Sequence, residues 1–228
     1  MGQSSQQLAI MQLSDSFFPS GTYTLSHGLE TFVQRGEITS PQTLKEMVEL
    51  ALWQKVGSSE LIALIHTYRA SEKGNLSAIA QIEQILWSQT LVATTRESLI
   101  RSGRALLRAA TPVWSDSQLQ YLSSLESPCY GLHPIIFAVV SRAAGLQEDN
   151  SALAYLHGYV TGLMGAAIRL GILGHIQAQQ LRLELAPIME QVCREAVQKE
   201  VTDMGSFAPI LDIAQIEHRN LTQRSFAN

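Results

Sequence analysis

SALAYLHGYVTGLMGAAIRLGIL, residues 151–173, is the stretch on which the reading of the fold turns. It reads as one helix, and an unusual one. Gly158, Gly162 and Gly165, followed by Ala166 and Ala167, remove side-chain bulk from one side. Each glycine costs about 1 kcal/mol relative to alanine inside a helix. That cost implies a gain from close approach, most simply another helix packing backbone to backbone. The stretch is therefore expected to be the central helix of its domain. It does not cross a bilayer, because its most apolar part, residues 160–174, is interrupted by Arg169 and is too short.

Helical periodicity continues on both sides. Upstream, Leu44, Met47, Val48, Ala51 and Leu52 recur at spacings of three and four, as do Leu61, Leu64, Ile65 and Tyr68. Ser40 before Pro41 reads as an N-cap with proline in the first turn. Gly57, Ser58 and Ser59 are expected to break this region into two helices, and Gly74-Asn75 to end the second. Further helices are marked by Leu76, Ile79, Ile82 and Leu86, and by Leu99, Gly103, Leu106 and Leu107 before Pro112. The run SPCYGLHP reads as a turn, with Pro134 opening a helix to about Ala144. Downstream, Leu181, Leu185, Ile188 and Val192 define another amphipathic helix, and a last one runs from about Pro209 to Asn220. No segment alternates long enough to be a strand. The expected architecture is all-α: one helical bundle spanning 1–228 around the Gly/Ala-rich helix, with flexible ends at 1–5 and about 221–228.

Apolar residues make up 46% of the 228 and charged residues 16%, which excludes a disordered chain. The apolar excess serves either a dense helical core or a surface kept for a partner. A formal net charge of −4 argues against nucleic-acid binding. Arg101, Arg104 and Arg108 cluster on one side of a helix and read as a solvated face. Cys129 and Cys193 fit no disulfide framework. MGQSSQQLAIMQL has no basic region followed by a long apolar run, so the expected location is the cytoplasm, away from membranes.

The stretch SDSFFPSGTYTLSHGLE, residues 14–30, joins a short apolar helix (6–13) to one expected to begin near Ser26 or His27. Its aromatic and imidazole groups, Phe17, Phe18, Tyr23 and His27, make it too apolar to be merely solvated. It either folds onto the core, with Asp15 and Ser26 as caps, or anchors another protein. Asp15, Phe18, Pro19, Gly21, Ser26, His27, Gly28, Leu29 and Glu30 match, in order, the N-terminal signature of the urease accessory proteins of the UreF family, which the chain resembles. Three further blocks follow in the family's order. They are the segment from Arg101 through Gly103 and Arg104 to Leu107, the pair His133-Pro134, and the run Ala166, Ala167, Arg169, Leu170, Gly171, Leu173 and Gly174. His175 replaces the family's usual glutamine. In the C-terminal frame of Pro209, Asp212, His218, Arg224 and Phe226, the order Glu217-His218 inverts the usual pair, a tyrosine is missing, and Ser225 stands for a leucine.

The resemblance implies a non-enzymatic scaffold. Such proteins dimerise, bind a UreH/UreD-type accessory protein, recruit a UreG-type GTPase and help insert nickel into apo-urease. By that resemblance, partner contacts fall to Asp15, Phe18, Pro19, Gly21, His27, Glu30, His218 and Arg224. Arg104, His133, Arg169 and His175 are assigned to the core or to an internal passage. Arg169, a charge inside an apolar helix, must reach a carboxylate, carbonyl groups or the surface; a buried structural ion pair is expected, with Glu30 or Asp15 as partner by resemblance alone.

The residues themselves carry no catalytic signature. There is no phosphate-cradling glycine loop, no nucleophile elbow and no C-x-x-C or H-E-x-x-H pair. No catalytic residues, tightly bound cofactor or stable metal site is expected, and nickel is expected only in transit through imidazole and carboxylate contacts. His27 and Glu30, three apart, could share a helix face. The alternative reading is a helical enzyme with a His/Glu pocket between helices.

Overall fold

The computed structural model describes residues 3–15, 18, 19, 22–124 and 127–227. Every regular element among them is helical, so the all-α expectation holds. In chain order the helices are α1 (Gln3–Ser14), α2 (Leu29–Gln34), α3 (Pro41–Ala51), α4 (Leu61–Glu72), α5 (Leu76–Gln89) and α6 (Ala93–Ala110). They continue with α7 (Ser117–Ser123), α8 (His133–Ala143), α9 (Glu148–Arg169), α10 (His175–Val197) and α11 (Pro209–Glu217).

The helix starts follow the capping chemistry. The Ser40 hydroxyl accepts from the Thr43 amide at 3.2 Å, and the Ser40 amide donates to Thr43 Oγ1 at 3.2 Å, so threonine closes a capping box ahead of Pro41. Asn75 Oδ1 accepts from the Ala78 amide at 3.0 Å and starts α5. Gly74, at φ 66°, ends α4 as expected.

Gly57-Ser58-Ser59 does not break the chain. Residues Leu52–Glu60 continue as a π-helical segment that joins α3 to α4 in one rod. A side chain at Gly57 would collide with the Leu52 carbonyl and with Val192 of α10. The glycine is there for the approach of α10, and that packing overrides its poor helix propensity. The central helix also differs in its bounds. It begins three residues before Ser151 and stops at Arg169, because Gly171, at φ 75°, forms a Schellman end. There the Ile172 amide donates to the Ala167 carbonyl (2.9 Å) and the Gly171 amide to that of Ile168 (3.0 Å).

α9 borders α1, α2, α4, α8 and α10. Its Ala166 and Ala167 are fully buried, but its glycines do not receive a helix. A Cβ at Gly158, Gly162 or Gly165 would meet no atom of the described residues within 4 Å. These glycines line an open cavity instead. A dry layer lies between α4 and α8, where Leu61, Leu64, Ile65, Ile135, Ile136 and Val139 are all fully buried. Polar ties close this layer: Tyr68 donates to the Leu146 carbonyl at 2.6 Å, and Arg142 grips Asp116 through both terminal nitrogens at 2.5 and 2.9 Å. Burial raises the Asp116 pKa, but the Arg142 bonds and the α7 amides it caps outweigh that and leave the carboxyl lowered.

Candidate functional site

The segment after α1 turns through two left-handed residues, His27 (φ 51°) and Gly28 (φ 89°), before α2 begins at Leu29. Gly28, not Ser26, is the N-cap. A non-glycine residue in the left-handed region is uncommon and marks a constrained position. Gly28 serves a second need, because a Cβ there would press on the Ala214 side chain at 3.3 Å. The start of α2 thus lies against α11, and the Thr31 hydroxyl donates to the Ala214 carbonyl at 2.8 Å.

The turn sends the His27 ring inward, 4.6 Å from Tyr159 of α9. Beside it Tyr155 donates to Glu60 Oε2 at 2.5 Å, and the His133 ring sits 5.6 Å from Tyr155 and 5.9 Å from Phe137. The π-helical segment supplies Glu60 and also Lys55, whose ammonium is bound to Asp212 and, at 3.3 Å, to Gln215 Oε1. Thr95 donates to the same amide oxygen. Burial sets the electrostatics of this cluster. It pulls His27 down to about 3, with Lys55 and His133 adding to the effect, and it pulls His133 down to about 4. It pushes Glu60 up, against the Tyr155 bond and Lys55, and raises Tyr155 and Tyr159. Both imidazoles are therefore neutral near pH 7, each with one nitrogen able to accept.

A second cluster ties the two ends of the chain. Glu30 on α2 is buried; its Oε2 meets His218 Nε2 at 2.7 Å and its Oε1 accepts from the Ser225 amide at 2.7 Å. Leu221–Ala227 lies along the N-terminal signature. The Gln34 amide nitrogen donates to the Gln223 carbonyl (2.8 Å), the Ala227 amide donates to the Thr24 carbonyl (2.9 Å), and Phe226 is buried beneath the Arg169 guanidinium, 4.2 Å from the ring centre. Arg169 is itself exposed, contrary to the expectation of a buried charge. Its side chain lies along the surface and its Nε donates to the Gly165 carbonyl at 3.3 Å. Nor do His27 and Glu30 share a helix face, since His27 precedes α2 and points to α9 while Glu30 faces the tail.

The third arrangement positions His133. Glu83, buried on α5, accepts from the amides of Tyr130, Gly131 and Leu132 at 2.6, 2.8 and 2.7 Å. Gly103 of α6 lets this loop through, because a side chain there would run into the Gly131 carbonyl. Arg104 Nε donates to the Tyr130 carbonyl at 3.0 Å. Tyr130 stacks on Trp87, over which Arg96 lies at 4.7 Å.

Asp15, Phe18, Pro19, His27 and His133 come together around the cavity floored by α9. Phe18 packs 5.9 Å from Trp114. Glu30 and His218 form the tail cluster, with Arg224 exposed beside it, and His175, exposed, opens α10. Phe17, Gly21 and the side chain of Tyr23 lie outside the described residues. Among the described residues no group of three or more His, Cys, Asp and Glu is arranged to hold a metal ion, and no helix is long and apolar enough to cross a membrane. Sequence reasoning passed over Lys55, Glu60, Glu83 and Tyr155. The available sign was a charge set within an apolar helical stripe, as Glu83 is between Ile79, Ile82 and Leu86.

The structure is a helical body whose C-terminal tail is clamped to the segment that starts α2, and comparison with known proteins gives its class. The family model UreF matches residues 38–186. Over 226 residues the chain is 48% identical to the urease accessory protein UreF of Trichodesmium erythraeum (strain IMS101), covering 98% of this chain and 97% of that one. It is 30% identical over 221 residues to the protein of the same name from Bacillus sp. (strain TB-90), covering 96% and 97%. It is 28% identical over 225 residues to urease accessory protein UreF 1 of Brucella melitensis, covering 97% and 92%. The chain belongs to the UreF family of urease accessory proteins.

Proposed function

We propose that the chain acts as a cytoplasmic, homodimeric scaffold in urease maturation. It bridges a UreH/UreD-type partner and a UreG-type GTPase and regulates the release of nickel into apo-urease. The observation that carries this reading beyond the family is the outer face of α11. Phe207 is 81% exposed, and Ile210, Ile213 and Ile216, three residues apart, are 49%, 50% and 52% exposed. The opposite side of the same helix buries Leu211 and Ala214. A helix that keeps three large apolar groups in water, with Phe207 exposed just ahead of it, is suited to meet another protein. Nickel passes as cargo through imidazole and carboxylate contacts and is held by no resident site.

Co-expression of the tagged chain with a UreH/UreD-type protein, a UreG-type GTPase and urease tests this. All three are expected in the eluate, and absence of the UreH/UreD-type protein overturns the bridging role. The second reading, a helical enzyme, draws on one observation: the cavity brings His27, His133 and Glu60 together, each with a shifted pKa. Against it, the Glu60 carboxylate is already engaged by Tyr155 and both imidazoles are set among aromatic rings.

A further inference from the structure

α11 has nine residues, and a helix that short does not hold its shape alone in water. Its surroundings must fix it, and apolar contact supplies little of that. Leu211, Ala214 and Gln215 are its buried residues, one of them a methyl group and one an amide. Two small cavities, of about 30 and 40 Å³, are lined by Lys55 and Thr95, the first also by Gln215 and the second by Asp212. Packing is therefore loose on this side of α11.

Polar bonds take its place. The Lys55 ammonium donates to Asp212 and, at 3.3 Å, to Gln215 Oε1, two α11 residues three apart. Thr95 of α6 donates to the same Gln215 oxygen. Just ahead of α11, the Gly205 and Phe207 amides donate to the Ser58 and Gln54 carbonyls at 3.0 and 3.1 Å. The π-helical segment thus holds the approach to α11 with its carbonyls and the helix itself with Lys55. Lys55 is 8% exposed, and a buried pair repays lost hydration poorly. Its gain is direction. One ammonium meets acceptors at two positions three apart in a single rotation of the helix, and that rotation keeps Ile210, Ile213 and Ile216 outward. A turn by one residue, about 100°, would carry Ile213 toward the side now held by Ala214.

We propose that Lys55 is the positioning residue of the docking face. Its bonds to Asp212 and Gln215 set the rotation of α11, and so decide whether the three isoleucines are presented to the partner protein. This rests on the reading of α11 as the docking helix.

The test uses the tagged full-length chain with the UreH/UreD-type protein and compares the parent, Lys55→Met/Asp212→Leu and Ile213→Asp. Apolar replacement of a buried pair commonly leaves stability intact or higher, so the melting temperature of the double variant is expected to hold or rise. Its α11 amides are expected to exchange hydrogen at least ~10-fold faster in the free chain, and capture of the partner to fall at least ~10-fold. Should the double variant fold poorly, Gln215→Met, which removes the second acceptor alone, is expected to weaken capture about 3-fold or more. Parent-like capture by the double variant while Ile213→Asp fails to capture overturns the role of Lys55 and leaves the docking face standing. So does unchanged exchange along α11, or a lowered melting temperature with parent-like capture by the folded protein, since Lys55 then only stabilises. Parent-like capture by Ile213→Asp overturns the docking reading itself, and this inference with it.

Discussion

Glu83 ties α5 to the loop that leads into α8. Its carboxylate receives three consecutive backbone amides, the arrangement that fixes the loop ahead of His133. Burial pushes its pKa up and the three amides pull against that. Glu83→Gln keeps the shape but turns an NH2 toward a backbone donor, and is expected to cost about 2–4 kcal/mol in urea unfolding. The half-buried imidazoles of His27 and His133 give a pH dependence. Their folded values, about 3 for His27 and about 4 for His133, lie below the ordinary 6.5. Between those values the unfolded chain holds more protons than the folded one, so stability rises with pH. The contribution is complete above pH 6.5 and is lost as the solution is acidified toward pH 4. His133→Gln is expected to lose about 2 kcal/mol less than the parent between pH 7 and 4.5, read from urea midpoints at each pH. The sequence exposed such residues only as anomalies. The partners of Glu83 are amides, and an amide has no letter of its own.

The helical elements divide the glycines into two kinds that look alike in sequence. Gly103 stands against a carbonyl of the loop it admits, and Gly57 against Val192. Alanine at Gly103 must push backbone aside and is expected to destabilise by about 3 kcal/mol. Alanine at Gly158 meets nothing, and should stabilise α9 by up to about 1 kcal/mol through helix propensity alone. Thermal melts of the two variants, moving in opposite directions, check both. The sequence correctly showed that the glycines of α9 carry a cost, and assigned it to a neighbouring helix. It could not show an empty cavity there, since spacing records what one helix presents and not what faces it. In the same way GSS looked like a break because propensity was read without α10, whose packing keeps the π-helical segment continuous. Ser40, Pro41 and Asn75 were legible because capping is local.

Across the whole molecule, the all-α architecture followed from three-and-four spacing and from the absence of alternation, and the family from a signature confined to residues 15–30 and supported by later blocks. The juxtaposition of Glu30 with His218 and Ser225 was not legible, because it joins positions nearly two hundred residues apart. The proposed docking role predicts that α11 is needed for assembly more than for folding. Ile213, half in water, adds little to the core; Ile213→Asp should leave the melting temperature within about 1 °C while weakening capture of the UreH/UreD-type partner at least ~10-fold.

The most direct measurement is urease activation in cells lacking their own copy of this protein, comparing the parent chain with Ile213→Asp at equal soluble expression. Full activation by the parent and at least a ~10-fold lower urease activity with the variant are expected. Equal activation by both would contradict the claim that this chain works by presenting α11 to another protein.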